Sequence, residues 1–379
     1  LIDLRKIEMQ FIDLAKQQSL IKTNLDKRIQ DVLAHGKYIM GPEIKEMEAQ
    51  LAEYVGVKHC VSCSSGTDAL LMPLLAWDVG PGDAVFTTPF TFIATAEVIQ
   101  LLGATPIFVD IDPKTYNISP ELLDESIAQV IEAGELNPKV VIPVDLFGLP
   151  ADYAAIELIA KKYDIKILED AAQGFGGQID DRLAGSFGDA ASTSFFPAKP
   201  LGCYGDGGAI FTDDDDLYEK LVSVRVHGKG GDKYDNIRIG LNGRMDTLQA
   251  AIVLEKFTLF PGEVTLRNEV AAKYNELLSD RVVIPEVASG FTSVWAQYSI
   301  LAKDADDRAV LQAKLKDAGI PSAVYYPKPL HQQTAFNHLA YKDGDFPVSE
   351  EMSQRIFSLP MHPYLETADI EKICKVLNS

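Results

Sequence analysis

Short apolar runs rich in β-branched and aromatic residues punctuate the first two-thirds of the chain. They are His59–Ser62, Ala84–Thr87, Pro106–Val109, Val140–Val144, Lys166–Leu168, Ala190–Phe195 and Ala209–Thr212. Between several of them, Thr67–Trp77, Thr91–Leu102, Pro120–Ala133 and Ala151–Tyr163 place apolar residues three to four positions apart, the spacing of a half-buried helix. Strands that alternate with helices predict an α/β fold with a mostly parallel, seven-stranded sheet covered on both faces. The acids Asp213–Asp216 follow the last run and read as the negative first turn of a helix. The pattern then changes. A helix is expected over Arg244–Phe260, interrupted at Pro261-Gly262, and a second over Glu263–Leu278. Strands at Trp295–Ala302 and Ala323–Tyr326 and helices at Asp306–Ala318 and Thr367–Leu377 suit a smaller α+β unit. The expected organisation is a large domain over 9–255, opening with a helical segment, and a small C-terminal domain over 256–379.

Composition narrows the function. The chain has 379 residues and a net charge of −20, a field that repels phosphate backbones and argues against nucleic acid as a partner. No apolar run is long enough to span a membrane. Leu1–Gln10 lacks the apolar core of a signal peptide, and Met9 is a residue able to start translation. Four cysteines are too few for a disulfide framework, so a cytoplasmic protein is expected. Cys60 and Cys63 sit inside a strand with no second pair at zinc spacing, and no metal is assigned to them.

In open α/β sheets ligands bind beyond the carboxyl ends of the strands, so the residues after each run carry the candidate chemistry. After the first run, Ser64-Ser65-Gly66-Thr67 opens a helix. Free amides, hydroxyls and the positive end of the helix dipole make a phosphate cradle there; an ordinary N-cap is the simpler reading. After Lys166–Leu168 stand Glu169 and Asp170, able to hold a cationic nitrogen, a ribose or a metal, or to form a plain salt bridge. After Ala190–Phe195, Lys199 lies in an apolar segment bounded by Pro197, Pro200 and Gly202. A buried lysine has a depressed pKa and can form a Schiff base; a snorkelling lysine does neither. Together a phosphate cradle, an acid and a buried lysine match pyridoxal 5′-phosphate (PLP), which needs all three.

The chain resembles the DegT/StrS-type nucleotide-sugar aminotransferases, which have the type I (aspartate-aminotransferase-like) PLP fold. The resemblance runs from about Phe11 to the C-terminus. It rests on Gly36–Glu43, Ser65–Leu70, Gly80–Asp83, Pro89–Thr95, Gly103–Pro106, Glu169–Gln173, Asn242–Asp246 and Leu248–Ala251. Its most specific part is Ser194-Phe195-Phe196-Pro197-Ala198-Lys199-Pro200-Leu201-Gly202 with Gly205–Ala209. The resemblance implies that Lys199 bonds the cofactor aldehyde and shuttles protons. Asp170 pairs with the pyridine nitrogen, Gln173 lies near the ring hydroxyl and Phe92 stacks on the ring, where core packing is the alternative. Ser65, Gly66, Thr67 and Ser194 hold the phosphate, completed by Asn242 from a second subunit. A homodimer with shared active sites is thereby implied.

The implied reaction is ping-pong: L-glutamate gives its amino group and leaves as 2-oxoglutarate, then a UDP-linked keto-sugar takes the group. Pro200–Tyr204, Tyr325–Leu330 and Leu359–Tyr364 look most like the branch acting at carbon 3 of UDP-2-acetamido-2-deoxy-3-oxo-D-glucuronate, for bacterial surface polysaccharide (lipopolysaccharide O-antigen). Arg244 and His362 are candidates for the uronate carboxylate, with Arg244 alternatively only orienting its loop. Tyr325, Tyr326 and His331 are candidates either for the sugar pocket or simply for packing of the small domain. Gly228–Gly240, with Lys229, Lys233 and Arg238, reads as a loop able to meet the diphosphate or simply to lie in solvent. Amination of a 3- or 4-keto-6-deoxy sugar on UDP or dTDP, and a non-catalytic PLP-binding regulator, stay open as other readings.

Overall fold

The computed structural model describes residues 9–232 and 234–379; Leu1–Glu8 and Lys233 lie outside the described residues. Two helices come first, α1 (Leu14–His35) and α2 (Pro42–Val55). Each ends on a glycine in the left-handed region, Gly36 at φ 68° and Gly56 at φ 84°, where a side chain would be strained. The sheet strands follow: β1 (His59–Cys63), β2 (Asp83–Thr87), β3 (Thr105–Phe108), β4 (Asn137–Val141) and β5 (Lys166–Asp170). A small ribbon, β6 (Gln178–Ile179) and β7 (Arg182–Leu183), precedes β8 (Ala190–Ser194) and β9 (Gly208–Thr212). The large sheet has the order β1-β9-β8-β5-β4-β2-β3. Its pairings are parallel from β3 through β8, and β9 alone runs antiparallel, to both β8 and β1. The expected mostly parallel seven-stranded sheet is thus present.

Strand alternation sorts side chains onto two faces. Val61, Val85 and Ile210 meet α3 (Gly66–Ala76), α4 (Ala94–Leu101) and α7 (Asp215–Val224) on one face. On the other, Cys60, Ala209 and Phe211 pack on α2 and α8 (Thr247–Phe257), while Ala84 and Phe86 pack on α5 (Pro120–Ala133) and α6 (Tyr153–Tyr163). Cover on both faces explains why these strands read as near-continuous apolar runs.

A separate core lies in the C-terminal part. There α9 (Phe260–Leu277), α10 (Ala305–Asp317) and α12 (Thr367–Leu377) enclose the antiparallel pair β11 (Tyr298–Leu301) and β12 (Ile356–Leu359). The two-residue strand β10 (Phe291–Thr292) extends the small ribbon, and α11 (Pro347–Arg355) leads into β12. Helix α9 joins the cores: Phe260 packs under the sheet, and Val270 and Tyr274 pack in the C-terminal unit.

Several expected boundaries move. The strand expected over Ala323–Tyr326 does not form; only Ala323 bridges to Ser358, and Pro327 and Pro329, lacking amide donors, follow at once. The helix expected from Arg244 starts at Thr247 and stops at Phe257. Pro261 does not interrupt a helix but sits in the first turn of α9, where a missing N–H is harmless. Of the acids Asp213–Asp216, only the last two lie in the first turn of α7; Asp214 caps it by accepting from the Leu217 amide at 3.0 Å. No helix of the described residues is long and apolar enough to cross a membrane.

Candidate active site

The carboxyl ends of β1, β2, β4, β5 and β8 share one rim of the sheet, and the chain leaving each strand brings a different chemical group there. After β1, Ser65 caps α3: its Oγ accepts from the Asp68 amide at 3.1 Å. The amides of Gly66 and Thr67, in the first turn, are left without helical acceptors. Gly66 lies so close to the end of β8 that a Cβ on it would stand 2.6 Å from Ser194 Cβ. The glycine therefore brings the helix N-terminus and the Ser194 hydroxyl together as neighbouring donors.

At the end of β5, Asp170 is buried. Its Oδ2 accepts from Thr95 Oγ1 at 2.9 Å, and Oδ1 accepts from the Ala172 amide at 3.2 Å. Burial raises its pKa, opposed by these hydrogen bonds and by the charge of Lys199. Thr95 lies in the Pro89–Thr95 stretch but carries no local signal of this role; its hydroxyl also meets Thr91 Oγ1, four residues earlier, at 3.2 Å.

Lys199 lies in the loop between β8 and β9. A turn from Phe196 to Lys199 (amide to carbonyl, 2.9 Å) and a closing bond from the Cys203 amide to the Phe195 carbonyl (2.7 Å) fold the segment back on itself. The half-buried lysine pairs with no carboxylate among the described residues, and burial lowers its pKa, with Asp170 pulling the other way. Asp170 and Lys199 thus face each other as a carboxylate and an amine, neither neutralised by a close ion pair.

Gln173 has a fixed orientation. The Phe147 amide donates to its Oε1 at 3.0 Å, and an amide N–H requires an acceptor. Gln173 Nε2 then donates to the Tyr326 hydroxyl at 3.2 Å and has a second N–H left over. Phe147 holds this place with φ 58°, in the left-handed region, a strained backbone of the kind that clusters at working sites. Phe92, on the strand-to-helix turn before α4, is 56% exposed, so it is not core packing; its ring is open to a ligand.

Other expected residues scatter. Tyr326 is half-buried beside Phe90 and Gln173, and half-buried Tyr325 meets the Phe11 ring at 6.4 Å. His331 is buried, with Nε2 3.0 Å from Glu350 and its ring against Phe346. His362 is buried, and its pKa falls to about 4, first through burial, with Arg267 nearby adding to the fall and Asp13 opposing it. Asn242 is exposed, and its side chain makes no bond to Gly66, Thr67 or Ser194 of its own chain; the neighbouring Gly243 carbonyl accepts from the Ser64 amide at 3.1 Å. Arg244 is half-buried, with Nε shielded and unpartnered.

The donor cradle, the carboxylate that lacks a cation and the amine of lowered basicity are the three parts PLP requires, and they lie on one rim. Comparison with known proteins gives the same chemistry. A family profile described as the DegT/DnrJ/EryC1/StrS aminotransferase family matches residues 19–378. The chain is 48% identical over 372 residues to the UDP-2-acetamido-2-deoxy-3-oxo-D-glucuronate aminotransferase of Pseudomonas aeruginosa, covering 98% of this chain and 100% of that protein. Among solved structures it is similar to a DegT DnrJ EryC1 StrS aminotransferase from Brucella abortus, with TM-score 0.95, 52% identity and 98% of each chain covered. It is also similar to NtdA of Bacillus subtilis with the cofactor PMP bound, with TM-score 0.87, 30% identity, and 99% of this chain and 87% of that one covered. The chain belongs to the DegT/DnrJ/EryC1/StrS aminotransferase family.

Proposed function

We propose that this protein is a PLP-dependent aminotransferase that moves an amino group from L-glutamate to carbon 3 of UDP-2-acetamido-2-deoxy-3-oxo-D-glucuronate. The observation that carries the chemistry is the buried Asp170 opposite a Lys199 that has no ion pair among the described residues and is made less basic by burial. A buried carboxylate without a cation is costly, and a protonated ring nitrogen is the cation it lacks. When bound, PLP supplies an electron sink for the carbon from which a proton is removed.

The residues of the chain do the rest. Amides of Gly66 and Thr67 with the hydroxyls of Ser65 and Ser194 bind the phosphate. Asp170 holds a proton on the ring nitrogen, and Thr95 holds Asp170. The spare N–H of Gln173 can only donate, which suits an anionic ring oxygen. Phe92 offers its open face to the ring. Lys199 Nζ, less basic than a free lysine, supplies the nucleophile, then accepts the donor's α-proton and returns it.

The sugar assignment rests on full-length similarity to the Pseudomonas protein. Arg244, with its shielded unpartnered Nε, is the cation available for a uronate carboxylate, and half-buried Tyr325 is a candidate wall of the sugar site. A homodimer accounts for Asn242, which is exposed on its own chain and free to complete a phosphate site across an interface. Tyr38, Ile39 and Met40 add exposed apolar surface of the kind an interface covers. The setting is cytoplasmic, in the synthesis of a surface polysaccharide such as O-antigen.

Mass spectrometry of incubations with L-glutamate and either the 3-keto-uronate or a 4-keto-6-deoxy sugar on UDP tests the assignment. An amino-sugar from the uronate alone supports it; an amino-sugar from the 6-deoxy compound alone overturns the substrate and leaves the chemistry. Sedimentation of the purified protein as a monomer would remove the role given to Asn242.

A further inference from the structure

Behind Asp170 lie two carboxyl groups that the reaction does not use, Asp145 beyond β4 and Glu169 on β5. Both have 0% exposure, and their carboxyl groups meet. Among the described residues no lysine, arginine or histidine pairs with either. Two adjacent buried anions without a cation are not sustainable in a low-dielectric interior.

The hydrogen bonds show where a proton fits. Glu169 Oε1 accepts from the Gly185 amide at 2.7 Å and Oε2 from the Phe187 amide at 2.9 Å. Asp145 Oδ1 accepts from the Ala151 amide at 3.1 Å and the Tyr153 hydroxyl at 2.8 Å. Asp145 Oδ2 is buried, with no donor at all. Of the four oxygens, it is the one that can carry a hydrogen without displacing another. The Tyr153 and Phe187 rings, stacked with centroids 4.4 Å apart, wall the pair from solvent, and Gly174 leaves no room on the other side, since a Cβ there would overlap Asp145.

We propose that Asp145 and Glu169 hold one proton between them, carried on Asp145 Oδ2 and donated to Glu169, so that a single negative charge stands behind Asp170. This rests on the reading of Asp170 as partner of the cofactor nitrogen. The link is short: the Asp145 amide donates to the Asp170 carbonyl at 3.1 Å, and the charge of Asp170 raises the pKa of Asp145; like charges this close disfavour each other's ionised form. A second charge on the pair would favour protonation of Asp170, and a neutral Asp170 holds a pyridinium poorly. Asp145 and Glu169 are therefore positioning residues that keep Asp170 ionised. Burial raises the pKa of both, in keeping with a proton retained by the pair. The titratable groups facing the pair are Tyr153 on α6 and Asp170 on β5, with Lys199 beyond Asp170. Tyr153, its own pKa raised by burial, stays a phenol donor.

The proposal predicts an asymmetry. In Asp145→Asn the amide oxygen keeps the two donors and the NH2 replaces the proton toward Glu169. In Glu169→Gln the NH2 collides with the Gly185 or the Phe187 amide. The test is infrared difference spectroscopy and thermal unfolding of the enzyme from pH 5 to pH 8, with and without saturating PLP. The expected result is a protonated-carboxyl band at neutral pH that shifts in D2O and is lost in Asp145→Asn. That variant should melt near the wild type, while Glu169→Gln melts lower throughout. The folded pair binds a proton that the unfolded chain releases above its ordinary carboxyl pKa, so wild-type stability falls as pH rises toward 7. Asp145→Asn has no such loss, and its Tm should gain on the wild type over that range. Absence of the band, or an Asp145→Asn variant that melts as low as Glu169→Gln, overturns the shared proton. These readouts are independent of colour: a protein that shows the asymmetry but takes up no PLP leaves the shared proton standing and overturns the reading of Asp170.

Discussion

Two strand ends bury charge in opposite ways. Beside β1, Arg225 Nη1 donates to Glu48 Oε1 at 2.5 Å and to the Ser62 carbonyl at 3.1 Å, while the Ser62 amide and hydroxyl donate to the same Glu48 oxygen at 2.8 and 2.7 Å. That cluster ties α2, β1 and the end of α7 together; Arg225 Nε is buried without a partner, but the guanidinium charge is met by Glu48. At the ends of β5 and β8, Asp170 and Lys199 are also shielded, yet neither has a close counter-ion. A closed cluster holds a fold together, whereas an open one stores the electrostatic demand that a ligand fills. The difference separates scaffold from site where residue types alone do not.

The comparison can be broken in four ways, given from the largest effect to the smallest. Asp170→Asn should lower kcat with glutamate by about a thousand-fold while the protein stays folded, since only the open cluster loses a charge. Glu48→Ala should do the reverse: it strands a buried guanidinium at a cost of about 3–5 kcal/mol, read by urea unfolding, while the folded fraction keeps its activity. His362 belongs with the scaffold. Its folded pKa of about 4 lies below the ordinary imidazole value of about 6.5, so the neutral form is favoured on folding. Its contribution is complete above the unfolded pKa and is lost as pH falls through that range, by about 3 kcal/mol at most. His362→Gln should flatten that acid limb in unfolding measurements. Gly66→Ala, which presses a methyl on Ser194, should weaken PLP binding by about tenfold and lower Tm by a few degrees.

The sheet and the lysine loop were legible in the sequence because a doubly covered strand has to be apolar and because Pro- and Gly-bounded lysines are rare in apolar segments. The cradle was visible as Ser65-Gly66-Thr67, although the closeness of Gly66 to Ser194 depends on the packing of α3 on β8. What the sequence hid was relational. Nothing in the spacing of Thr95 places its hydroxyl on Asp170, and nothing local to Asp145 tells that it meets Glu169. His331 shows the converse: of the two readings open to it, sugar-pocket lining and packing of the small domain, its contacts with Glu350 and Phe346 favour packing. The missing strand at Ala323–Tyr326 has a similar origin, for an apolar aromatic run is strand-like until the prolines after it are weighed.

The most direct test of the open cluster is the visible absorption spectrum of the purified protein with PLP, before and after L-glutamate, beside Lys199→Ala. The account predicts a yellow band in the wild type that glutamate converts to the pyridoxamine form, and no such conversion in the variant. A wild-type protein that develops no band with added PLP, or a Lys199→Ala variant that converts as readily, would contradict it.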